Sequence, residues 1–451
     1  MTQNIARPDF TRRDFLKTSS TLAAAAALAP GVFAANDETL KLALIGCGGR
    51  GSGAASQALS TAGPVKLVAM ADVFRDRLDD SYGNLKAQHA DRVDVPEENK
   101  LIGFDAYKQA IALADVVILA TPPGFRPPLL EEAVRQGKNI FTEKPLAVDG
   151  PGVRKVLAAA EEAKKKNLKV GVGLQRHHQL GYLETIKRLH DGAIGDITAM
   201  RCYWNNPGVW THARKDYEAK AGRPLTEMEY QMRNWYYFVW LCGDHIVEQH
   251  IHNLDVINWV KQGHPIKAWG MGGREVRKGL DHGEIFDHHF VEFEYADGTR
   301  CSSQCRHIPG CWDSVSEAVV GTDGICDVSG HVIRTGSPKY VQEMAARREA
   351  SWHFTTPGAK DPYQQEHDDL FAAIRNNTPY NELEYGAHSS MTAVMGRMAT
   401  YSGKEISWDE ALNSKIDTMP AGDLTWDTLP QSLPDSEGHY KVAVPGVTVA
   451  C

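Results

Sequence analysis

No run of about 18 consecutive apolar residues occurs in the 451-residue chain, so nothing reads as a membrane-spanning helix or a stable anchor. Basic runs are scarce as well. Beyond Lys164-Lys165-Lys166 there is none, and the net charge of −8 leaves no electrostatic footprint for nucleic acid. That one run falls on the solvated face of a helix expected over 152–167. The eight cysteines lack metal-ligand spacing. Cys301 and Cys305, four apart in an expected strand, would lie about 13 Å apart, too far to bridge. Cys311 and Cys326 could join long-range bridges in an oxidising compartment, but the expectation is that no disulfide forms. What remains is an ordinary globular composition, 42% hydrophobic and 24% charged, in a chain long enough for two domains.

The most informative stretch is Leu40 to Gly51. A short apolar strand breaks into a turn with glycines at its first, third and sixth positions, Gly46, Gly48 and Gly51, and Ala54 to Leu59 then opens a helix. A dinucleotide needs that layout. One glycine tightens the turn, one admits the pyrophosphate to the backbone, and one lets helix meet strand, with phosphate at the helix N-terminus. Gly46, Gly48, Gly49, Arg50 and Gly51 are therefore cofactor-binding candidates. A second strand from Lys66 ends at Asp72, the place of an acid that binds adenosine ribose hydroxyls and disfavours a 2′-phosphate. NAD is expected over NADP. A second glycine cluster, Gly270-Met271-Gly272-Gly273, has charged residues after it and no amphipathic helix. It is rejected as a nucleotide turn.

Residues 1–35 read as an export signal. Arg12-Arg13 precedes Phe15-Leu16-Lys17, a short apolar run follows from Leu22 to Ala29, and Ala34-Ala35 offers a small-residue cleavage site. The arginine pair resembles a twin-arginine signal, which moves folded proteins, so the expected location is the periplasm. Folding before export is also why no disulfide is expected.

Strands and helices then alternate. Asp115 to Thr121 is a continuous apolar run of the kind buried on both faces of a parallel sheet, and Asn139 to Thr142 and Lys169 to Leu174 follow. Thr121-Pro122-Pro123, Glu143-Lys144-Pro145 and Gln175-Arg176-His177 all fall at strand carboxyl ends, where loops converge on one crevice. With these motifs and the helical motif below, the chain resembles the Gfo/Idh/MocA oxidoreductases, named for glucose-fructose oxidoreductase, inositol dehydrogenase and MocA. The likeness runs well over about 38–330. It implies an α/β fold: an N-terminal Rossmann doubly wound parallel sheet (36–175), then a C-terminal α+β domain (176–402) with an open, largely antiparallel sheet whose exposed face makes a homo-oligomer. Residues 403–451 read as an irregular extension without a site. The resemblance adds Thr121, Pro122, Pro123, Arg126, Glu143, Lys144 and Gln175 to the cofactor set. Arg126 stands where the family often has a histidine.

Gly243 to Asp255 reads as the start of one helix capped by Asp244, with His245, Glu248, His252 and Asp255 on one face. The family places an acid, a histidine four later and often Asp three beyond; Glu248, His252 and Asp255 fit. Removing hydride from a carbinol carbon requires the hydroxyl proton to leave, and a near-neutral histidine can take it. By resemblance, His252 is the general acid/base, Lys144 stabilises the alkoxide, and Glu248 orients or relays. Lys144, Arg176, His177, Trp204, Trp235, His245, Glu248 and His252 form the expected substrate set, the tryptophans belonging to an aromatic-rich insertion suited to sugar rings. A metal on His245, Glu248 and His252, with His288-His289 adding a ligand, is an alternative, but the resemblance implies chemistry without metal. Asp287-His288-His289 is read as cleft wall or strand surface. Three functions follow. The first is a nicotinamide-dependent oxidoreductase acting on a carbohydrate or polyol, with tightly held cofactor. The second is an NAD-dependent glycosidase or lyase that oxidises, eliminates and re-reduces. The third is a non-catalytic nucleotide sensor.

Overall fold

Leu42 to Ile45 and Val116 to Leu119 are buried essentially completely, as strands covered on both faces must be. In the computed structural model, which describes residues 38–355 and 358–451, they are the central pair of a six-stranded parallel sheet. Its strands are β1 (Leu40–Ile45), β2 (Val65–Asp72), β3 (Lys100–Ile102), β4 (Val116–Leu119), β5 (Asn139–Thr142) and β6 (Val170–Val172). The order is β3-β2-β1-β4-β5-β6, that of a Rossmann sheet, with the strand order reversing between β1 and β4. Helices Gly49–Leu59, Arg75–Gln88, Arg126–Arg135 and Gly150–Lys165 connect these strands.

The second sheet is built from β7 (Ile197–Asn206), β8 (Lys267–Gly273), β9 (His288–Glu294), β10 (Arg300–His307), β11 (Ser314–Gly321), β12 (Gly324–Asp327), β13 (Val332–Thr335), β14 (Trp352–His353) and β15 (Ile406–Ser407). Its order is β14-β13-β12-β11-β7-β10-β9-β8-β15. Only β7 and β10 run parallel; every other pairing is antiparallel. Alternate residues of β9 and β10 are buried, so one face packs on helices and the other stays half open. The rejected glycine cluster lies inside β8. A Cβ on Gly270 would come within 2.3 Å of the Phe290 carbonyl, and one on Gly272 within 3.2 Å of Thr400. Those glycines let the buried helix Leu383–Ser402 approach the sheet.

The expected single helix from Asp244 is broken. It forms as His245–Glu248 and Ile251–Lys261, because the His250 N–H reaches back five residues to the His245 carbonyl at 3.1 Å. This one wide turn changes the phase between the two pieces. All eight cysteines are free thiols.

Candidate active site

A cavity of about 760 Å³ extends from the glycine turn to Lys144, Glu248 and His252. Gly46 holds φ +92°, where a side chain is strained, and a Cβ there would stand 2.6 Å from Ala120 backbone. A Cβ on Gly51 would stand 1.9 Å from the Gly46 carbonyl, so this glycine sets helix against strand. Gly48 and Gly49 differ: a Cβ on either meets nothing within 4 Å, because both face the cavity. No side chain caps the helix that begins at Gly49. An uncapped N-terminus with open glycines fits a dinucleotide pyrophosphate.

Asp72 closes the turn from the next strand. Its Oδ2 accepts the Cys47 N–H at 2.7 Å and its Oδ1 accepts the Phe74 N–H at 2.9 Å. Arg50 leaves the turn to pair with Glu143 and, at 3.0 Å, with Glu366, which ties the turn to the loop after β5. Arg126 is buried. It donates to the Pro145 carbonyl and to the Thr121 carbonyl at 2.9 Å, joining the loops that follow β4 and β5. Burial pushes its guanidinium down to about 10, against the pull of Glu143 and Glu248.

With Glu143 held by Arg50, Lys144 turns to Glu248. The Lys144 Nζ donates to Glu248 Oε1 at 2.8 Å and also to the Glu248 carbonyl. His252 lies on the same cavity, with the Trp204 ring stacked beside it at 5.8 Å and 23°. Its Nδ1 has no hydrogen-bond partner. Burial, then the charges of Lys144, Arg176 and Arg50, holds its pKa well below 6.5. A neutral imidazole, an ammonium and a carboxylate therefore meet at one wall. That set can accept a proton from an alcohol and stabilise the oxyanion left behind.

Of the expected residues, Gly46, Gly48, Gly49, Arg50, Gly51, Asp72, Thr121, Pro122, Arg126, Glu143, Lys144, Trp204, Trp235, Glu248 and His252 line this cavity. Pro123, Gln175, Arg176, His177 and His245 do not. Pro123 is buried in the turn after β4. Gln175 Nε2 reaches the Tyr363 hydroxyl at 3.2 Å. Arg176 is spent on buried Glu317, which Asn253 also contacts. His177 is clasped between Trp259 and Tyr385, with Nε2 2.9 Å from Asp255 Oδ2. Asp255, which also accepts from the Ser389 hydroxyl at 2.8 Å, does not line the cavity. His245 is fully buried on the opposite side of the turn, against Asp244, His289 and His307. The set His245, Glu248 and His252 therefore offers no common metal face. Asp287 and His289 are buried too, and only His288 of that trio is partly open.

Arg77, Trp210, His212, Arg233, Gln249 and Tyr363 also line the cavity and were not among the expected site residues. Arg233 and Trp210 come from the insertion after β7, whose aromatic density was the available signal. Arg233 is bidentate to Asp76, both contacts at 2.9 Å, and its guanidinium lies 3.6 Å over the Phe74 ring. Trp426, from the supposedly inert extension, packs on Phe74 at 5.3 Å and Phe104 at 4.9 Å. The loops after β2 and β3 are thus covered from two sides.

Residues 40–174 match the model described as "Oxidoreductase family, NAD-binding Rossmann fold", GFO_IDH_MocA. Over residues 40–174 the chain is thus similar to the NAD-binding domain of the Gfo/Idh/MocA oxidoreductases. Residues 9–29 match the twin-arginine translocation signal, so the chain carries an export signal of that route; those residues lie outside the described ones. The inositol 2-dehydrogenase of Ralstonia nicotianae is 25% identical over 268 residues, which cover 58% of this chain and 66% of that protein, just under two thirds of its length. Inositol 2-dehydrogenase 4 of Saccharopolyspora erythraea is 31% identical over 172 residues, covering 38% and 47%. Two solved structures share the fold. Scyllo-inositol dehydrogenase of Lactobacillus casei, with bound NAD(H) and scyllo-inositol, has a TM-score of 0.58 at 18% identity, covering 82% of this chain and 100% of that one. Aldose-aldose oxidoreductase of Caulobacter crescentus, complexed with glycerol, has a TM-score of 0.61 at 17% identity, with the same coverages.

Proposed function

We propose that the protein is a periplasmic, NAD-dependent oxidoreductase that moves a hydride between its cofactor and a hydroxyl-bearing carbon of a sugar or polyol. The observation that carries this reading is the Lys144–Glu248 pair beside neutral His252, on a cavity that begins at an uncapped, glycine-lined helix N-terminus. The inositol dehydrogenase relatives support a polyhydroxylated substrate. A bound nicotinamide supplies the hydride acceptor. Gly48, Gly49 and the N–H groups at the start of that helix would hold the pyrophosphate, and Asp72 would bind the adenosine ribose hydroxyls. In the oxidation direction His252 takes the proton from the substrate oxygen. The Lys144 ammonium stabilises the negative charge that grows there, and Glu248 fixes the ammonium in place. Trp204 and Trp235 offer flat faces to the carbinol ring.

A redox-neutral variant of the same chemistry is favoured by two observations together: the export signal and the cover that Arg233 and Trp426 place over the loop after β2. A cofactor that stays bound outside the cytoplasm must be returned to its starting state within each cycle, either by a second substrate or by oxidation, elimination and re-reduction of one sugar. Subunit contact belongs on the half-open face of the second sheet, where Met271, Phe290 and Tyr203 lie in one cross-strand row. Mass spectrometry of small molecules released from denatured, freshly purified protein tests the core reading. NAD(H) near one equivalent is expected; protein without it that also fails to reduce added NAD with any sugar or polyol would refute it.

A further inference from the structure

Lys144, Glu248 and His252 account for the reacting oxygen, and most other charged side chains on the cavity are held by the protein. Arg50 pairs with Glu143 and Glu366, Asp72 holds two backbone N–H groups, Arg126 donates to two carbonyls, and Arg233 is bidentate to Asp76. Gln249 lines the same cavity and is unspent. Its chain neighbours are not. Glu248 Oε1 accepts from Lys144 at 2.8 Å, and the buried His250 ring turns inward, with Nε2 2.7 Å from Ser303 Oγ. Among the described residues the Gln249 carboxamide has no hydrogen-bond partner, and its Oε1 is closed off from solvent as well.

A buried acceptor without a donor is destabilising, and native structures keep few of them. On a cavity wall the missing donor can come from the ligand. The two ends of a carboxamide exchange by half a turn of its last bond, so one group can take a hydrogen bond from a hydroxyl and give one back. The position of Gln249 says which hydroxyl. The His252 N–H donates to the Gln249 carbonyl at 3.2 Å. A bond across three residues is of the 3₁₀ kind, in which the side chains at i and i+3 lie over one another. Gln249 therefore stands next to His252, one residue beyond the carboxylate that holds Lys144. The Trp204 ring, stacked beside His252, carries a second unpartnered group, its Nε1–H.

We propose that Gln249 is a specificity-determining residue: its carboxamide binds a hydroxyl on the carbon next to the one oxidised. The inference rests on the oxidoreductase reading above and narrows its substrate class. The favoured substrate is a carbinol with a hydroxylated neighbour, as in a ring polyol or a pyranoside, and not an isolated secondary alcohol. When the substrate oxygen gives its proton to His252, the hydroxyl of the adjacent carbon comes within reach of Gln249. That hydroxyl donates to the amide oxygen or accepts from the amide N–H, and the orphaned group is satisfied. An analogue without it leaves the carboxamide unpaired behind the bound ligand, where water no longer reaches it. Sites built around a substrate hydroxyl reject deoxy analogues in this way.

The test uses full-length protein loaded with NAD and a panel of inositols, hexoses and methyl hexosides. The member that reduces bound NAD fastest is compared with its monodeoxy analogues. Each is followed by the rate of that reduction and by calorimetric binding to the NADH-loaded form, which cannot oxidise the alcohol. Wild type should favour the intact compound at least about tenfold over the analogue that lacks a hydroxyl beside the reacting carbon. Gln249→Met should bring that ratio near one and leave NAD(H) content and the preferences at other positions as they were. A merely structural role would weaken both compounds alike and keep the ratio. If the Met variant fails to fold, Gln249→Asn, which withdraws the amide by one methylene, should lower the ratio instead. An unchanged ratio in the folded variant overturns the role of Gln249 and leaves the oxidoreductase reading standing. Reduction of bound NAD by no member of the panel overturns that reading, and this inference with it.

Discussion

Lys144 Nζ lies 2.8 Å from Glu248 Oε1, joining two residues 104 positions apart in the chain. The contact links a loop of the Rossmann sheet to the broken helix before β8, and His252 lies within reach of the same cavity wall. Lys144→Ala and His252→Ala should each lower kcat by roughly 10² or more, the usual scale for a lost general base or oxyanion partner. Bound NAD should stay near the wild-type level, because both groups work on the substrate oxygen. Stopped-flow turnover beside cofactor content would check this, and wild-type turnover in either variant would remove it from the mechanism.

The pH dependence has a definite sign. The folded pKa of His252 lies well below 6.5, chiefly through burial and then through Lys144, Arg176 and Arg50. The imidazole therefore stays an unprotonated base as pH falls through the ordinary histidine range. The acid limb of kcat/KM in the oxidation direction should lie below pH 6.5. Buried His367 is displaced the same way. Both resist protonation when folded, so their contribution to stability is full above 6.5 and declines as pH falls below it. Thermal melts from pH 8 to 5 should show that decline.

Much of the fold was legible because the signals are local. Buried parallel strands are continuous apolar runs, the turn is glycine-spaced, and β9 and β10 alternate with period two. The candidate site was legible only in part. One wide turn, His250 N–H to His245 carbonyl, shifts His245 and Glu248 out of helical phase with His252 and Asp255, with which they share a face on paper. No periodicity announces such a turn. The partners of Arg50 lie 93 and 316 residues away, so nothing near Arg50 marks Glu143 or Glu366 as its company. Trp426 sits in a segment with few regular elements, and its role depends on Phe74 and Phe104, which only folding brings to it.

Arg233 should govern how long the cofactor stays. Its bidentate contact with Asp76 and its place over Phe74 close the insertion against the loop after β2. Charge-assisted hydrogen bonds of this kind contribute about 1.5–3 kcal/mol, and 1.4 kcal/mol is about tenfold in a rate or equilibrium constant. Arg233→Ala should therefore release NAD(H) at least about tenfold faster, measured by displacement of bound NADH fluorescence. Unchanged release would place the barrier elsewhere.

NAD should bind more tightly than NADP. The Asp72 carboxylate lines the cavity at the end of β2, where it would meet a 2′-phosphate with like charge, although Arg77 lines the same region. Asp72→Ser should narrow the preference by relieving that repulsion. Calorimetry on protein stripped of cofactor gives the ratio directly, and equal or tighter NADP binding by wild type would reverse the assignment.

Two glycines of one turn should fail in different ways. Gly51 has no room: an added Cβ would sit 1.9 Å from the Gly46 carbonyl, and that oxygen belongs to backbone that cannot swing aside. Gly51→Ala must push helix Gly49–Leu59 off β1, which should cost about 1–3 kcal/mol, the usual penalty for overpacking, and lower Tm. Gly48 has room, since its Cβ would meet no protein atom within 4 Å, and its φ of −72° suits alanine. The methyl group would instead occupy the cavity where the pyrophosphate must approach the backbone. Gly48→Ala should then melt like wild type in the absence of cofactor yet bind NAD at least about tenfold more weakly. If Gly48→Ala bound NAD normally, the phosphate path along this helix N-terminus would be wrong. If it unfolded instead, Gly48 would be serving the backbone rather than the ligand.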